Sequence, residues 1–238
     1  MGSATEAAAI RDAATLILVR DPATRPAVLM GQRGAGAAFM PNKVVFPGGA
    51  VDPGDAHIPL AAPLPARCRE RVDAGPGAVS LAAAAIRELW EEAGLILGSR
   101  AEWPDPPVDW RSFAATGHRP AASSMRFIFR AITPPGRPRR FDARFFVADA
   151  AQLASDPDDF SQATGELSHL AWIPLDAARG YDLPFITEIV LAELAGLLPE
   201  LAAPESVPFF CHHDEGAAFQ RIRGSGSEGE TEASDLKA

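Results

Sequence analysis

Arg87-Glu88-Leu89-Trp90-Glu91-Glu92-Ala93-Gly94-Leu95 is the stretch that decides how the rest of the chain reads. Its three acids, Glu88, Glu91 and Glu92, stand at i, i+3 and i+4, a spacing that stacks them on one face of a helix. Ala82, Ile86, Leu89 and Ala93 fall on the opposite arc. The pattern predicts a helix that packs a core with one side and presents carboxylates with the other. Like charges at this spacing repel by roughly 0.2–0.5 kcal/mol per pair. A face that concentrates such repulsion reads as a cation site, and hard divalent ions such as Mg2+ take oxygen ligands and commonly bind substrate phosphates too. A solvated acidic face is the ordinary alternative, and the neighbouring sequence decides against it.

Upstream, residues 40–55 read Met-Pro-Asn-Lys-Val-Val-Phe-Pro-Gly-Gly-Ala-Val-Asp-Pro-Gly-Asp. Val44 to Phe46 is short, apolar and β-prone, a buried strand by its composition. Pro47-Gly48-Gly49 ends it, and paired glycines let main chain come close to a ligand. A strand, a glycine turn and an acidic helix together suit a site for a metal and a diphosphate.

With these residues in view the chain resembles the Nudix hydrolases, whose box is Gly-x5-Glu-x7-Arg-Glu-U-x-Glu-Glu-x-Gly-U, with U aliphatic. Gly49 opens the box, and Arg87, Glu88, Leu89, Glu91, Glu92, Gly94 and Leu95 match its second half throughout. Asp55 stands where the family has its first glutamate, one methylene shorter. The gap from Asp55 to Arg87 is 31 residues rather than seven, an insert of 24. A surface insert of that size costs little, because loop entropy grows slowly with length. A branch that carries a long insertion at this point, the peroxisomal-type CoA diphosphatases and their bacterial relatives, looks similar over Gly36 to Pro41, Val45 to Gly49, Ile86 to Leu97 and Arg139 to Phe146.

The resemblance implies a Nudix α/β/α sandwich, a mixed β-sheet between helices, where pattern alone says mixed α/β. It implies one to three Mg2+ or Mn2+ ions held by Glu88, Glu91, Glu92 and the Gly48 carbonyl. The implied reaction is hydrolysis of a nucleoside diphosphate linked to another group, with CoA or acyl-CoA as the first choice. ADP-ribose or a dinucleotide is the alternative, and a non-catalytic Nudix-fold sensor is the reading from a different class. Glu88 either ligates or takes the proton of the attacking water. Glu166, six residues before Trp172, resembles a family glutamate that binds metal or acts as base, and reads otherwise as a solvated loop acid. Arg87 sits off the acidic arc and reads as an orienting partner of the carboxylates. Arg139, Arg140 and Arg144 are the candidates for substrate phosphates, since guanidinium forks suit them. A solvated basic turn is their alternative reading.

Composition sets the outer bounds. The chain has 238 residues, 47% hydrophobic and 22% charged, ordinary for a globular protein. Residues 1–224 read as a single domain with the insertion at about 56–79, and 225–238, rich in Gly, Ser and Glu, as a disordered tail. The net charge of −9 argues against a nucleic-acid surface. It leaves room for an anionic substrate, because a bound metal reverses the local field. Cys68 and Cys211 have no CxxC spacing, and a reducing, cytoplasmic setting is expected. The apolar run Ala13 to Val19 is seven residues, too short for a membrane span. The partner expected is a small molecule, with neither nucleic acid nor membrane, and homodimerisation is left open.

Strands are expected over Ala13 to Val19, Ala27 to Arg33, Met125 to Ala131, Phe141 to Ala148 and Leu170 to Pro174. The acidic helix is expected to start near Ser80 as N-cap and to end at Gly94. A second helix is expected over Pro184 to Leu198. Gly34 and Gly36 read as a turn, His212 and His213 as surface residues, and Trp90 and Trp172 as core-edge aromatics.

Overall fold

Ile10–Arg20 forms the central strand because its apolar residues serve two faces at once. Ala14, Leu16 and Leu18 join one buried cluster, Ile17 and Val19 the other. The computed structural model describes residues 8–72, 77–213, 216–224 and 234–235. In chain order the elements are β1 (Ile10–Arg20), β2 (Ala27–Arg33), β3 (Val44–Val45), β4 (Gly48–Ala50), α1 (Ala66–Val72), α2 (Gly77–Ala93), β5 (Gly98–Arg100), α3 (Arg111–Ala114), β6 (His118–Pro120), β7 (Arg126–Ile132), β8 (Arg140–Asp149), β9 (Leu167–Pro174), α4 (Phe185–Ala195), β10 (Val207–His213), β11 (Gly216–Ile222) and β12 (Ser234–Asp235). The main sheet runs β12-β11-β10-β7-β8-β1-β2-β3, with β4 also on β1 and β9 also on β2. β1 is parallel to β8 and β10 to β7, while the other pairs are antiparallel, so the sheet is mixed as expected.

Helices cover both faces. α2 lays Leu81, Ala82, Ala85, Ile86 and Leu89 on the side of Leu16 and Leu18. α4 lays Val190, Leu191 and Leu194 on the side of Ile17 and Val19. Ala82 to Ala85 is fully buried, and these small side chains allow a close approach while favouring helix. Gly94, at φ +71°, ends α2 as the C′ glycine. Among the described residues no helix is long and apolar enough to cross a membrane.

The structure corrects three expectations. α2 begins at Gly77, and Ser80 is buried within it rather than capping it. The described residues of segment 56–79 are no free surface loop, since they include α1 and send Ile58, Leu64, Cys68 and Val72 into the α2-side core. Arg144 is not available to a substrate. It is 1% exposed, bonded to Asp12 and to the carboxylate and carbonyl of Asp142. The register explains this: Asp12 faces Asp142 across the parallel β1–β8 pair, and Arg144 neutralises both. Arg130 takes Asp142 through two bonds, at 2.9 and 2.6 Å, and stacks over Phe209. Of the expected tail, Ser234–Asp235 pairs with β11; its other residues and the side chains of His212 and His213 lie outside the described residues.

Arg144→Ala should leave two carboxylates short of their partner beneath the sheet. Removing one member of a buried pair costs about 3–5 kcal/mol, so a loss of that order is expected in denaturant unfolding. A change under about 1 kcal/mol, the scale of an exposed pair, would count against the buried network.

Candidate active site

The site grows from two glycines. β4 pairs with β1 through Thr15↔Gly48, Ala14↔Gly49 and Ala13↔Ala50, and the last turns of α2 run over it. A side chain on Gly49 would put its first carbon 2.4 Å from Glu88 Oε1, inside the carboxylate. One on Gly48 would meet Thr15 Oγ1 at 2.6 Å and the Ala14 carbonyl at 2.8 Å. Only glycine lets the helix carboxylates settle on the strand. The Gly48 N–H donates to Glu92 Oε2 at 2.8 Å, a link that runs through the amide of the residue expected to offer its carbonyl.

Two of the three acids are therefore not on an open face, as the helical pattern predicts. Glu92 is 1% exposed and the Glu88 side chain 13%; the Glu91 side chain, at 36%, reaches the rim. Helical spacing placed them together, but the strand above covers them.

Arg87 is the local counter-charge. It donates to Glu88 Oε1 at 2.9 Å, Glu91 Oε2 at 3.3 Å and the Ala50 carbonyl at 2.9 Å. Its other edge grips buried Asp55 at 3.2 and 3.3 Å. Burial alone would weaken its charge, but Asp55, Glu88 and Glu91 more than reverse that and hold it protonated. Asp55, which also accepts the Asp52 N–H at 2.9 Å, thus faces Arg87 and acts by fixing it.

Desolvation pushes the Glu88 carboxyl up to about 7, against the pull of Arg87, with Glu91 and Glu166 adding to the rise. It pushes Glu92 up to about 8, against the Gly48 bond, with Glu88 and Glu166 adding and Arg33 opposing. Glu91 is raised too, by burial first, then by Asp109 and Asp52, against Arg87. Crowded, desolvated carboxylates of this kind are a hallmark of functional sites.

Glu166 belongs to this neighbourhood, since its charge acts on both Glu88 and Glu92. The loop before it is tied to the end of α2 by the Thr164 N–H, which donates to the Glu91 carbonyl at 2.8 Å. Its side chain is 59% exposed and pairs with Arg33 at 3.3 Å. Sequence reasoning missed Arg33. It closes β2, and its Nε is buried with no hydrogen-bond partner among the described residues. Its position directly before the Gly34 turn was the available signal. Arg139 is exposed, while Arg140 is half-buried and closes the β7–β8 hairpin through Nε to the Thr133 carbonyl at 3.1 Å. Among the described residues nothing joins either to the carboxylates.

The donor set fits a hard cation: oxygen ligands only, with ionised forms disfavoured by desolvation despite Arg87 and the Gly48 N–H. Among the described residues no three His, Cys, Asp or Glu side chains are gathered tightly enough to enclose an ion. Arg87 holds the places between Glu88 and Glu91.

A mixed sheet between helices, with the acidic helix over a glycine strand, is the arrangement that the resemblance to the Nudix hydrolases implies. No family model matches the chain. A curated protein of Caenorhabditis elegans, "Putative nudix hydrolase 7", is 31% identical over 176 residues, 68% of this chain and 51% of the relative. The chain thus spans about half the length of that relative. The crystal structure of a Nudix hydrolase from Alicyclobacillus acidocaldarius is 29% identical and superposes with a TM-score of 0.59, over 79% of this chain and 92% of that one. Motif, fold and both relatives support membership of the Nudix hydrolase family, hydrolases of phosphorus anhydrides that generally use divalent metals such as Mg2+ or Mn2+.

Because Glu88 and Glu92 sit above the ordinary 4.5, the fold prefers their neutral forms. Their contribution to stability is whole below that value and is lost as pH rises through about 7 to 8. In chelator, the melting temperature should fall across this window, and Glu92→Gln should flatten the fall. Equal slopes for the two proteins would refute the burial of Glu92.

Proposed function

We propose that the chain is a metal-dependent diphosphatase acting on a nucleoside diphosphate linked to another group. The observation that carries this is the seating of Glu88 on Gly49 and of Glu92 on the Gly48 N–H, with Glu91 at the rim. Glu88, Glu91 and Glu92, with the Gly48 carbonyl, would hold Mg2+ or Mn2+. When bound, the cation neutralises the diphosphate and lowers the pKa of an attacking water. Arg87 orients Glu88 and Glu91 and is itself fixed by Asp55. Glu166, exposed and held by one contact to Arg33, is the group free to take the water's proton. Glu88 is more tightly bound to Arg87 and suits ligation. The complete set of carboxylates in the second half of the box favours catalysis over a sensor role.

CoA or acyl-CoA, cleaved to 3′,5′-ADP and (acyl-)phosphopantetheine, is the substrate proposed first. It rests on the likeness of residues 36–41, 45–49, 86–97 and 139–146 to CoA diphosphatases. With Arg144 buried, Arg139 and Arg140 are the arginines left to meet the 3′-phosphate. ADP-ribose and dinucleotides are the competing substrates.

A diphosphate panel assayed with Mg2+ and Mn2+, products resolved by mass, tests both levels. CoA should exceed its 3′-dephospho form by roughly 10- to 100-fold in kcat/KM, the scale of one charge-assisted contact, and Arg139→Ala should narrow the gap. Equal rates would end the CoA reading alone; no turnover of any diphosphate would end the enzyme reading. Within an active enzyme, Glu166→Gln should lower kcat by ~10²–10⁴ with metal affinity kept. If only Glu88→Gln lowers kcat in this way, Glu88 is the base and Glu166 a solvated loop acid.

A further inference from the structure

A second charged hollow lies apart from the carboxylates. Three arginines, Arg67, Arg71 and Arg223, line a cavity of about 450 Å³ with Ser206 and the acids Glu70 and Glu205. Arg67 and Arg71 stand at i and i+4 on α1, so their like charges share one face of the helix and repel. None of the three arginines is in an ion pair among the described residues, although Glu70 and Glu205 border the same space. In a chain of net charge −9, such a cationic surplus calls for a reason.

Arg71 supplies the second observation. It is 92% buried by its 8% exposure, and two of its nitrogens donate to the main-chain carbonyls of Pro204 and Glu205. Those bonds fix the guanidinium plane. Its Nε is left buried with no hydrogen-bond partner among the described residues. A buried donor left unmade costs about 1–3 kcal/mol, and the side chain that carries it lines the hollow. The exposed side chains of Arg67 and Arg223 complete the wall.

We infer that this hollow between α1 and the β10–β11 hairpin binds a phosphate group, separately from the carboxylate site. Phosphate is the fitting class because its oxygens spread in three dimensions and can be shared by several guanidinium groups. A carboxylate offers two oxygens in one plane and serves one fork. The hollow shares no residue with the carboxylate face. α1 leads toward the first turn of α2, whereas Glu88 and Glu92 occupy its last turns. The segment 56–79 thus provides a cationic wall as well as core.

The test uses the full chain in chelator, so that no metal carries phosphate to the carboxylates. Inorganic phosphate and AMP are titrated by calorimetry, with the Arg71 Nε–H resonance followed by NMR, against chloride at equal ionic strength. Saturable binding of either that shifts this resonance, weakened about 10-fold or more in Arg67→Ala/Arg223→Ala, is the expected result. AMP binding without phosphate binding assigns a monoester, and phosphate binding alone assigns the free ion. The variant alters exposed positions, and its far-UV spectrum and melting curve confirm that it is folded. Unchanged affinity in the variant, no shift at Arg71, or an equal effect of chloride would each overturn the proposal.

Discussion

The bond from the Gly48 amide to the Glu92 carboxylate is the constraint on which the rest of the site depends. It joins residues 44 positions apart and brings an acidic helix down onto a strand. That approach requires no side chain at Gly48 or Gly49 and small ones along Ala82 to Ala85. It also takes carboxylates out of water, which disfavours their charged forms. The structure answers chiefly with Arg87, shared among Glu88, Glu91 and Asp55. Positioning and electrostatic tension come from the same contact.

That tension suits chemistry on phosphate anhydrides. Carboxylates that are crowded and partly desolvated bind a divalent cation more strongly than the same groups spread over a solvated face. Rigid support matters as much, because ligand geometry must survive substrate entry. Gly48 fixes Glu92, Arg87 fixes Glu88 and Glu91, and Asp55 fixes Arg87. Glu166 stands outside this lattice, on a loop tied to α2 through Thr164, with its side chain largely exposed.

Elsewhere, charge has a purely structural use. Asp12, Asp142, Arg130 and Arg144 form a linked set beneath the sheet because strand register sets two aspartates opposite each other. Arginine near a nucleotide-type site invites assignment to the substrate, and at Arg144 that assignment fails on burial. Arg33 and Arg71 show the reverse: each keeps a buried donor without a partner among the described residues, a sign that burial has left bonding capacity unused.

The sequence by itself determined what depends on short range. The strands β1 and β2, the i, i+3, i+4 acids and the Gly94 cap all follow from spacings of a few residues, and the structure has each of them, whereas Gly48 and Gly49, expected as a turn, lie in strand β4. The motif also carried the resemblance to the Nudix hydrolases. Tertiary structure alone decided depth and partnership. Helical periodicity says that Glu88, Glu91 and Glu92 share a face, but not that a strand covers two of them. Nothing in the spacing pairs Asp55 with Arg87 across 32 residues or Arg144 with Asp12 across 132. Nor does composition show that residues 58–72 supply core rather than loop. Burial and ion pairing depend on which distant segments the sheet brings together, and local pattern does not contain that information.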